Sequence, residues 1–149
     1  MDFSKLTEFP SLAWDFDNTL VDSPASQLLH DFIKANQDIS HYIVTFRTHA
    51  LVPAIPYDLA KYKSDVSLFK QIITIPTEYW VNYTIDERKR RAGILTGPLT
   101  EAEVLYKTWK GMVCQKHSIP VLIDDDMANT APGCEKYNVI LVDPLVLIP

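Results

Sequence analysis

Two groups of aspartates stand out in the sequence, because each follows directly on a run of apolar residues. Asp15 and Asp17 follow one run near the start of the chain, and the three acids of residues 124–126 follow another near its end. Aspartate is a poor strand residue, and buried carboxylates close to one another repel. We therefore expect a cation to neutralise them. Oxygen ligands with room for water favour Mg²⁺ over zinc or copper.

The spacing of Asp15 and Asp17 suits chemistry by a pair of carboxylates. Residues two apart in an extended chain point to the same side, so both side chains can reach one reacting group. One carboxylate can then act as a nucleophile while the other transfers a proton. The plain alternative is a pair of surface acids at a strand end, and the second group of acids argues against it.

The elements that must position these acids alternate between strands and helices. This alternation predicts an α/β fold, a Rossmann-like three-layer sandwich around a parallel sheet. The predicted strands are Ser11–Phe16, His41–Phe46, Gln71–Ile75, Ile119–Ile123 and Asn138–Val142, and the predicted helices are Ser26–Asn36, Tyr57–Tyr62 and Thr100–Gln115. Ligand sites in such sheets lie beyond the carboxyl ends of the strands, at the switch point. The strand order 3-2-1-4-5 makes the first and fourth strands neighbours there and joins the two acidic groups.

The segment from Glu78 to Thr100 gives a mixed signal. Tyr79–Ile85 is compatible with a further strand, and Asp86–Ala92 with a charged helix or a turn. Thr100 and Glu103 form a capping-box pattern, with a hydroxyl at the N-cap and a carboxylate three residues later. This pattern predicts that a helix begins there.

The first acidic segment carries a family resemblance. Ala13–Leu20, with the sequence AWDFDNTL, resembles the DxDx[TV] motif of the haloacid dehalogenase (HAD) superfamily. The resemblance implies that Asp15 attacks phosphorus and forms an aspartyl-phosphate. It also implies that Asp17 protonates the leaving oxygen and then activates water.

The second strand resembles the second motif of the same superfamily. Tyr42–Thr45 is an apolar strand that ends in a hydroxyl residue, which implies that Thr45 binds a phosphoryl oxygen. Arg47 resembles an extra arginine of some nucleotidases and would suit a bidentate grip on phosphate, with an ordinary surface arginine as the equal alternative. Asn18, within the first motif, is assigned to phosphate binding with them.

Val121–Asn129 resembles the fourth, acidic motif. Asp125 aligns with the usual metal carboxylate, Asp124 with the acid that precedes it, and Asn129 with a polar residue often found there. Asp126 is expected to be a helix cap or a solvated acid. The resemblance implies a Mg²⁺ site formed by Asp15, Asp17, Asp124 and Asp125, with Asp17 contributing its backbone carbonyl.

The third motif is a lysine that pairs with the nucleophile and the phosphate. Lys107 and Lys110 lie one turn apart on the same predicted helix, so both are candidates. Lys107 is preferred, because its distance ahead of the acidic motif is closer to the usual one.

The composition limits the class of protein. The apolar fraction of 47% and the charged fraction of 22% are ordinary for a globular chain, and the net charge of −5 disfavours binding to a long nucleic-acid tract. No apolar run is long enough to cross a membrane, and the N-terminus does not resemble a signal peptide, which predicts a cytoplasmic protein. Cys114 and Cys134 are expected to be free buried thiols.

These features predict one domain over residues 1–149 that acts as a Mg²⁺-dependent phosphatase on a phosphomonoester, such as a nucleotide, a nucleic-acid end or another phosphorylated substrate. The insertions leave room for only a small cap, so an open site is expected. The alternative is a non-catalytic phosphate-binding or regulatory module on the same fold. A receiver domain is disfavoured, because its phosphorylated aspartate ends the third strand, where this chain has Ile73–Pro76. The apolar tail Leu145–Pro149 is expected to dock on the body or to join copies of the chain in a homo-oligomer.

Overall fold

Five parallel strands form one sheet in the order β3-β2-β1-β4-β5. The computed structural model describes every residue from Met1 to Pro149. The strands are β1 (Ser11–Trp14), β2 (Ser40–Thr45), β3 (Gln71–Thr74), β4 (Val121–Ile123) and β5 (Ile140–Val142). This confirms the predicted fold class and strand order. β1 pairs with β2 on one side and with β4 on the other, so the switch point lies between β1 and β4.

Helices cover both faces of the sheet and complete the three layers. They are α1 (Phe3–Leu6), α2 (Ser26–Ala35), α3 (Ile55–Ala60), α4 (Thr77–Arg91), α5 (Glu101–Lys116) and α6 (Met127–Lys136), with 3₁₀ turns at His49–Ala54, Val66–Leu68 and Pro144–Leu147. Alternate residues of β1 serve opposite faces, as the pleat requires. Leu12 and Trp14 belong to the core under α2 and α3, and Ala13 to the core under α5 and α6.

The compatibility of Tyr79–Ile85 with a strand was misleading, because this segment lies inside α4. Glu78 stands in the first turn of α4 and four basic residues stand in its last turn, which suits the helix dipole at both ends. None of its residues is buried. α6 was not among the predicted helices, because its interior proline, Pro132, obscures the helical pattern. Asp126 caps α6 by accepting a hydrogen bond from the Asn129 amide, as expected of a helix cap.

The capping box that begins α5 is present. The Thr100 hydroxyl accepts a hydrogen bond from the Glu103 amide, and the Glu103 carboxylate accepts one from the Thr100 amide. Arg90, near the end of α4, donates two further hydrogen bonds to Glu103 at 2.7 and 2.8 Å. The Arg90 contact holds the pKa of the Glu103 carboxyl at about 2. The end of α4 is thereby tied to the start of α5.

α5 and α6 approach each other backbone to backbone. A Cβ atom at Gly111 would collide with the carbonyl group of Gly133, and a Cβ atom at Gly133 would lie 2.7 Å from the Cα atom of Thr108. Neither position has room for a side chain. The contact fixes how α5 is rotated about its own axis, and with it the direction of the side chain that precedes Gly111.

The apolar tail docks on the body of the domain, which is one of the two arrangements expected from the sequence. Leu147 is buried in the core that contains β1, while Leu145 and Val146 are exposed. Cys114 and Cys134 are free buried thiols, as expected. None of the helices combines the length and apolar character needed to cross a membrane.

Candidate functional site

The turn after β1 brings the first acidic group to the carboxyl edge of the sheet. The Asp15 amide donates to the Ile123 carbonyl at 2.8 Å, which extends the pairing of β1 with β4 by one residue. The chain then turns tightly, with Asn18 at φ 60°, a left-handed conformation that asparagine tolerates. The turn points the Thr19 side chain back toward Asp15, and Thr19 Oγ1 donates to Asp15 Oδ2 at 3.0 Å.

The two acidic groups meet at this edge. One carboxylate oxygen from each of Asp15, Asp124 and Asp125 lies within 4.8 Å of the others. Asp15 and Asp124 are buried, and Asp125 is exposed. Thr19 Oγ1 lies 3.3 Å from Asp125 Oδ1 and so links the two strand ends. The convergence predicted from the strand order is therefore present in the fold.

Lys110, and not Lys107, is the lysine that contacts the acids. Its Nζ atom donates to Asp15 Oδ1 at 2.7 Å and to Asp124 Oδ2 at 2.6 Å, and its side chain is fully buried. Lys107, one turn earlier, instead donates to Asn129 Oδ1 at 2.9 Å. The preference for Lys107 as the partner of Asp15 is thus corrected, because the rotation of α5 turns Lys110 toward the sheet and Lys107 toward α6.

The ionisation of the cluster reflects burial and crowding. Burial alone lowers the pKa of Lys110, but the negative charges of Asp15 and Asp124 outweigh it, so its pKa is raised and the ammonium form persists. Burial raises the pKa of Asp124, against the opposing charge of Lys110. Burial, together with a hydrogen bond to Asp15, raises the pKa of Asp125 to about 6. Asp124 and Asp125 therefore each bind a proton more tightly than a free aspartate does.

Asp17 points to the mouth of the site and is held by Arg47. Arg47 Nε donates to Asp17 Oδ2 at 3.0 Å and Arg47 Nη2 donates to Asp17 Oδ1 at 2.8 Å. A weaker contact of 3.3 Å joins Arg47 to Asp58, and the guanidinium lies 4.7 Å from the centre of the Phe16 ring. Hydrogen bonding to Asp17 raises the pKa of Arg47. The bidentate grip expected of Arg47 is therefore made here on Asp17, and a grip on phosphate stays a prediction.

These residues surround a cleft of about 320 Å³ at the switch point. It is lined by Asp15, Asp17, Asn18, Thr45, Phe46, Asp125 and Asp126. The Thr45 hydroxyl, at the end of β2, accepts a hydrogen bond from the Arg47 amide at 3.0 Å. Thr45 and Asn18, both predicted to bind phosphate, thus share one cleft with the proposed nucleophile. Lys107 and Arg47 do not line it, and neither do the buried Lys110 and Asp124.

Two residues of the site were missed or ranked second from the sequence. Lys110 was weighed and not preferred. Thr19 was quoted within the first motif but given no role, although it contacts both Asp15 and Asp125. The spacing of four residues between Asp15 and Thr19 is visible in the sequence, but the contact depends on the tight turn at Asn18, which only the structure shows.

The donor set fits a divalent cation. Asp15, Asp17, Asp124 and Asp125 place four carboxylates at the site, and Lys110 and Arg47 place two cationic groups there. If all are ionised, two negative charges remain uncompensated. The candidate ligand atoms are carboxylate oxygens, and no thiol or imidazole lies among them. Hard oxygen ligands of this kind are compatible with Mg²⁺, which binds carboxylates and waters. Asp15, Asp124 and Asp125 are the side chains that would hold it.

Comparisons of the chain with protein-family models, with curated proteins and with solved structures found no match.

Proposed function

We propose that the chain is a Mg²⁺-dependent phosphatase that hydrolyses phosphomonoesters through an aspartyl-phosphate on Asp15. The observation that carries this proposal is the set of side chains that contact the Asp15 carboxylate. A buried lysine and a buried threonine hydroxyl hold one oxygen each of its carboxylate, and a second acid stands two residues away at the cleft mouth. A carboxylate oriented in this way can attack a phosphorus atom that enters the cleft.

The neighbours of Asp15 supply positioning and charge. Phosphoryl transfer asks little covalent chemistry of a protein beyond the nucleophile, so most of the catalysis is electrostatic. The Thr45 and Asn18 side chains, which line the cleft, would bind phosphoryl oxygens. Lys110, buried beside Asp15 and Asp124, would place its positive charge near the point where negative charge develops. Bound Mg²⁺ would neutralise the acids and polarise the phosphoryl group.

Asp17 would protonate the leaving oxygen in the first step and take a proton from water in the second. Both Asp17 oxygens accept hydrogen bonds from Arg47, which fixes the plane of the carboxylate toward the cleft. On this proposal Arg47 positions Asp17. Lys110 takes the role predicted for Lys107, that of the lysine paired with the nucleophile.

All five strands belong to one sheet, so no second sheet covers the site. The cleft is open on the side of Asp17 and Asn18. An open site admits substrates of different sizes, so a nucleotide, a nucleic-acid end and other phosphorylated molecules all remain candidate substrates.

The test is a phosphatase assay on p-nitrophenyl phosphate, with Mg²⁺ and after treatment with EDTA. Activity should require Mg²⁺, vanish on chelation and return when Mg²⁺ is restored. Asp15→Asn should abolish turnover, because an amide is a poor nucleophile. Asp38→Asn changes an exposed acid remote from the cleft and serves as the matched control.

Full turnover after exhaustive chelation would overturn the metal part of the proposal. Wild-type turnover in Asp15→Asn would overturn the nucleophile. Binding of phosphate by the wild-type protein without any turnover would favour the non-catalytic phosphate-binding module instead.

A further inference from the structure

A second cleft opens beside the catalytic cleft, with a volume of about 430 Å³. Its walls include Asp17, Phe46, Arg47, Ala50, Leu51 and Trp80. Asp17 follows β1, and the other walls come from the loop and 3₁₀ turn that follow β2 and from α4, which follows β3. The second cleft therefore lies at the same carboxyl edge of the sheet as the acids, where ligands bind in folds of this kind.

Asp17 and Phe46 line both clefts. On the proposed function, Asp17 gives its proton to the oxygen of the leaving group. The leaving group must then lie against Asp17 on the side away from the nucleophile. The second cleft, which shares Asp17 with the catalytic cleft, is the candidate space for it.

The walls of this cleft suit a flat apolar group. Trp80 is 41% exposed and Leu51 is 52% exposed, although both side chains are large and apolar. The guanidinium of Arg47 is already engaged by Asp17 and Asp58, so it offers no free positive charge to a second anionic group. An aromatic ring would cover the exposed apolar surface and gain a stacking contact with the indole.

The cleft is also held in shape from behind. The Phe46 ring stacks on Tyr106 with 4.2 Å between centroids, and Tyr106 stacks on Tyr83 with 3.7 Å between centroids. This aromatic stack of Phe46, Tyr106 and Tyr83 runs from the end of β2 across α5 to α4. It fixes α4, and with it Trp80, relative to the catalytic cleft.

We propose that the second cleft binds an aromatic leaving group, so that the favoured substrates are phosphomonoesters with an aromatic ring close to the phosphate. Aryl phosphates carry the ring on the leaving oxygen itself, and nucleoside monophosphates carry it one sugar further away; both leave with a ring that can stack on Trp80. The inference rests on the proposed phosphatase function, which sets the orientation of the substrate. The preference for an aromatic ring rests on the exposed side chains of Trp80 and Leu51.

The kinetic test compares substrates with and without a ring. Naphthyl phosphate and adenosine monophosphate are the two aromatic arms, and glycerol phosphate is the arm without a ring. Trp80→Ala should raise KM for the aromatic substrates roughly tenfold, the size of one lost base–aromatic stacking contact, with little change in kcat. KM for glycerol phosphate should stay unchanged. Trp80→Phe should restore most of the loss, and Val81→Ala, on the same helix but outside both clefts, should change nothing.

A binding measurement gives a readout that does not depend on turnover. Trp14 and Trp109 are buried, so Trp80 is the exposed indole among the three tryptophans. Phenylphosphonate, which cannot be hydrolysed at its carbon–phosphorus bond, should change the tryptophan fluorescence of the wild-type protein. Methylphosphonate should not. The response should disappear in Trp80→Phe.

The outcomes separate the two proposals. A rise in KM for adenosine monophosphate alone identifies a nucleoside, and a rise for naphthyl phosphate alone identifies an aryl group; either supports the inference. Hydrolysis of all three substrates with no selective effect of Trp80→Ala, and no fluorescence response, would overturn the second cleft and leave the phosphatase standing. A Trp80-dependent response to phenylphosphonate without turnover of any substrate would overturn the phosphatase and leave the cleft as an aromatic binding site.

Discussion

Replacing Lys110 by methionine tests the central ion pair of the site. Methionine fills a similar volume without the charge, so the change removes the two hydrogen bonds to Asp15 and Asp124 and leaves the packing largely in place. Lys107→Met is the matched control, because it makes the same change one turn earlier on α5. Lys107 contacts Asn129 and neither acid.

The expected magnitude follows from burial. Lys110 and Asp124 are fully buried and Asp15 nearly so, which puts the pair among those whose breakage costs about 3–5 kcal/mol. We expect Lys110→Met to lower the free energy of unfolding by about that amount at pH 8. Turnover should fall by about 10²–10³-fold, as for the loss of one group that stabilises transition-state charge. Lys107→Met should change both quantities little.

The loss of stability should depend on pH. Folding raises the pKa of Asp124, so the folded protein binds this proton more tightly than the unfolded chain does, and that contribution to stability is lost as the pH rises. Without the charge of Lys110 the pKa of Asp124 rises further. At pH 5 the variant can then protonate Asp124 instead of keeping an unpaired buried charge, and its deficit should be smaller than at pH 8.

The measurement is urea denaturation of wild type, Lys110→Met and Lys107→Met at pH 5 and pH 8 in EDTA, with kcat measured in Mg²⁺. If Lys110→Met matched the wild type in stability at pH 8, the buried ion pair would not hold the site together. If Lys107→Met instead caused the loss of turnover, the role would belong to the lysine one turn earlier.

Three further outcomes are expected. Arg90 holds the pKa of Glu103 at about 2, so this carboxylate stabilises the folded state above the ordinary carboxyl pKa and loses that effect as the pH falls toward 2. Glu103→Gln should therefore flatten the dependence of Tm on pH below pH 5. Parallel Tm profiles of variant and wild type would contradict this. With an aryl phosphate as substrate, Asp17→Asn should accumulate phosphorylated Asp15, which mass spectrometry after rapid quenching would detect. Turnover at the wild-type rate in this variant would exclude Asp17 as the acid/base. Gly111→Ala should lower the free energy of unfolding by about 1–3 kcal/mol, because the new methyl group would collide with Gly133. This loss should exceed the gain from the better helix propensity of alanine. A variant more stable than wild type in urea would refute the close approach of the two helices.

The parts of the fold that could be predicted are those written locally in the sequence. Apolar runs predicted the strands, and the acids that follow two of these runs predicted the edge where Asp15 and Asp125 meet. The hydroxyl and carboxylate of Thr100 and Glu103 gave the start of α5. The strands and the helix start depend on neighbours within a few residues, and the meeting of the two acidic groups needed in addition only the strand order of the sheet.

The parts that could not be predicted depend on contacts between distant residues. Lys107 and Lys110 differ by about 60° in direction around α5, since three residues turn a helix by about 300°. Which of them faces Asp15 is decided by the packing of Gly111 on Gly133, and sequence distance from the acidic motif carries no information on that rotation. Similarly, the aromatic residues of α4 resemble a strand until the stacking of Tyr83 on Tyr106 is known.

The attachment of α4 has a thermal consequence. No residue of α4 is buried, and the helix is held by the aromatic stack and by the ion pair at its end. Asp15, Asp124 and Lys110 lie instead among fully buried strands. Elements with few buried apolar contacts open locally at a lower free energy than the core does. Warming should therefore loosen the wall that carries Trp80 while the acids stay in place, so that selection among leaving groups weakens at a lower temperature than the chemical step itself.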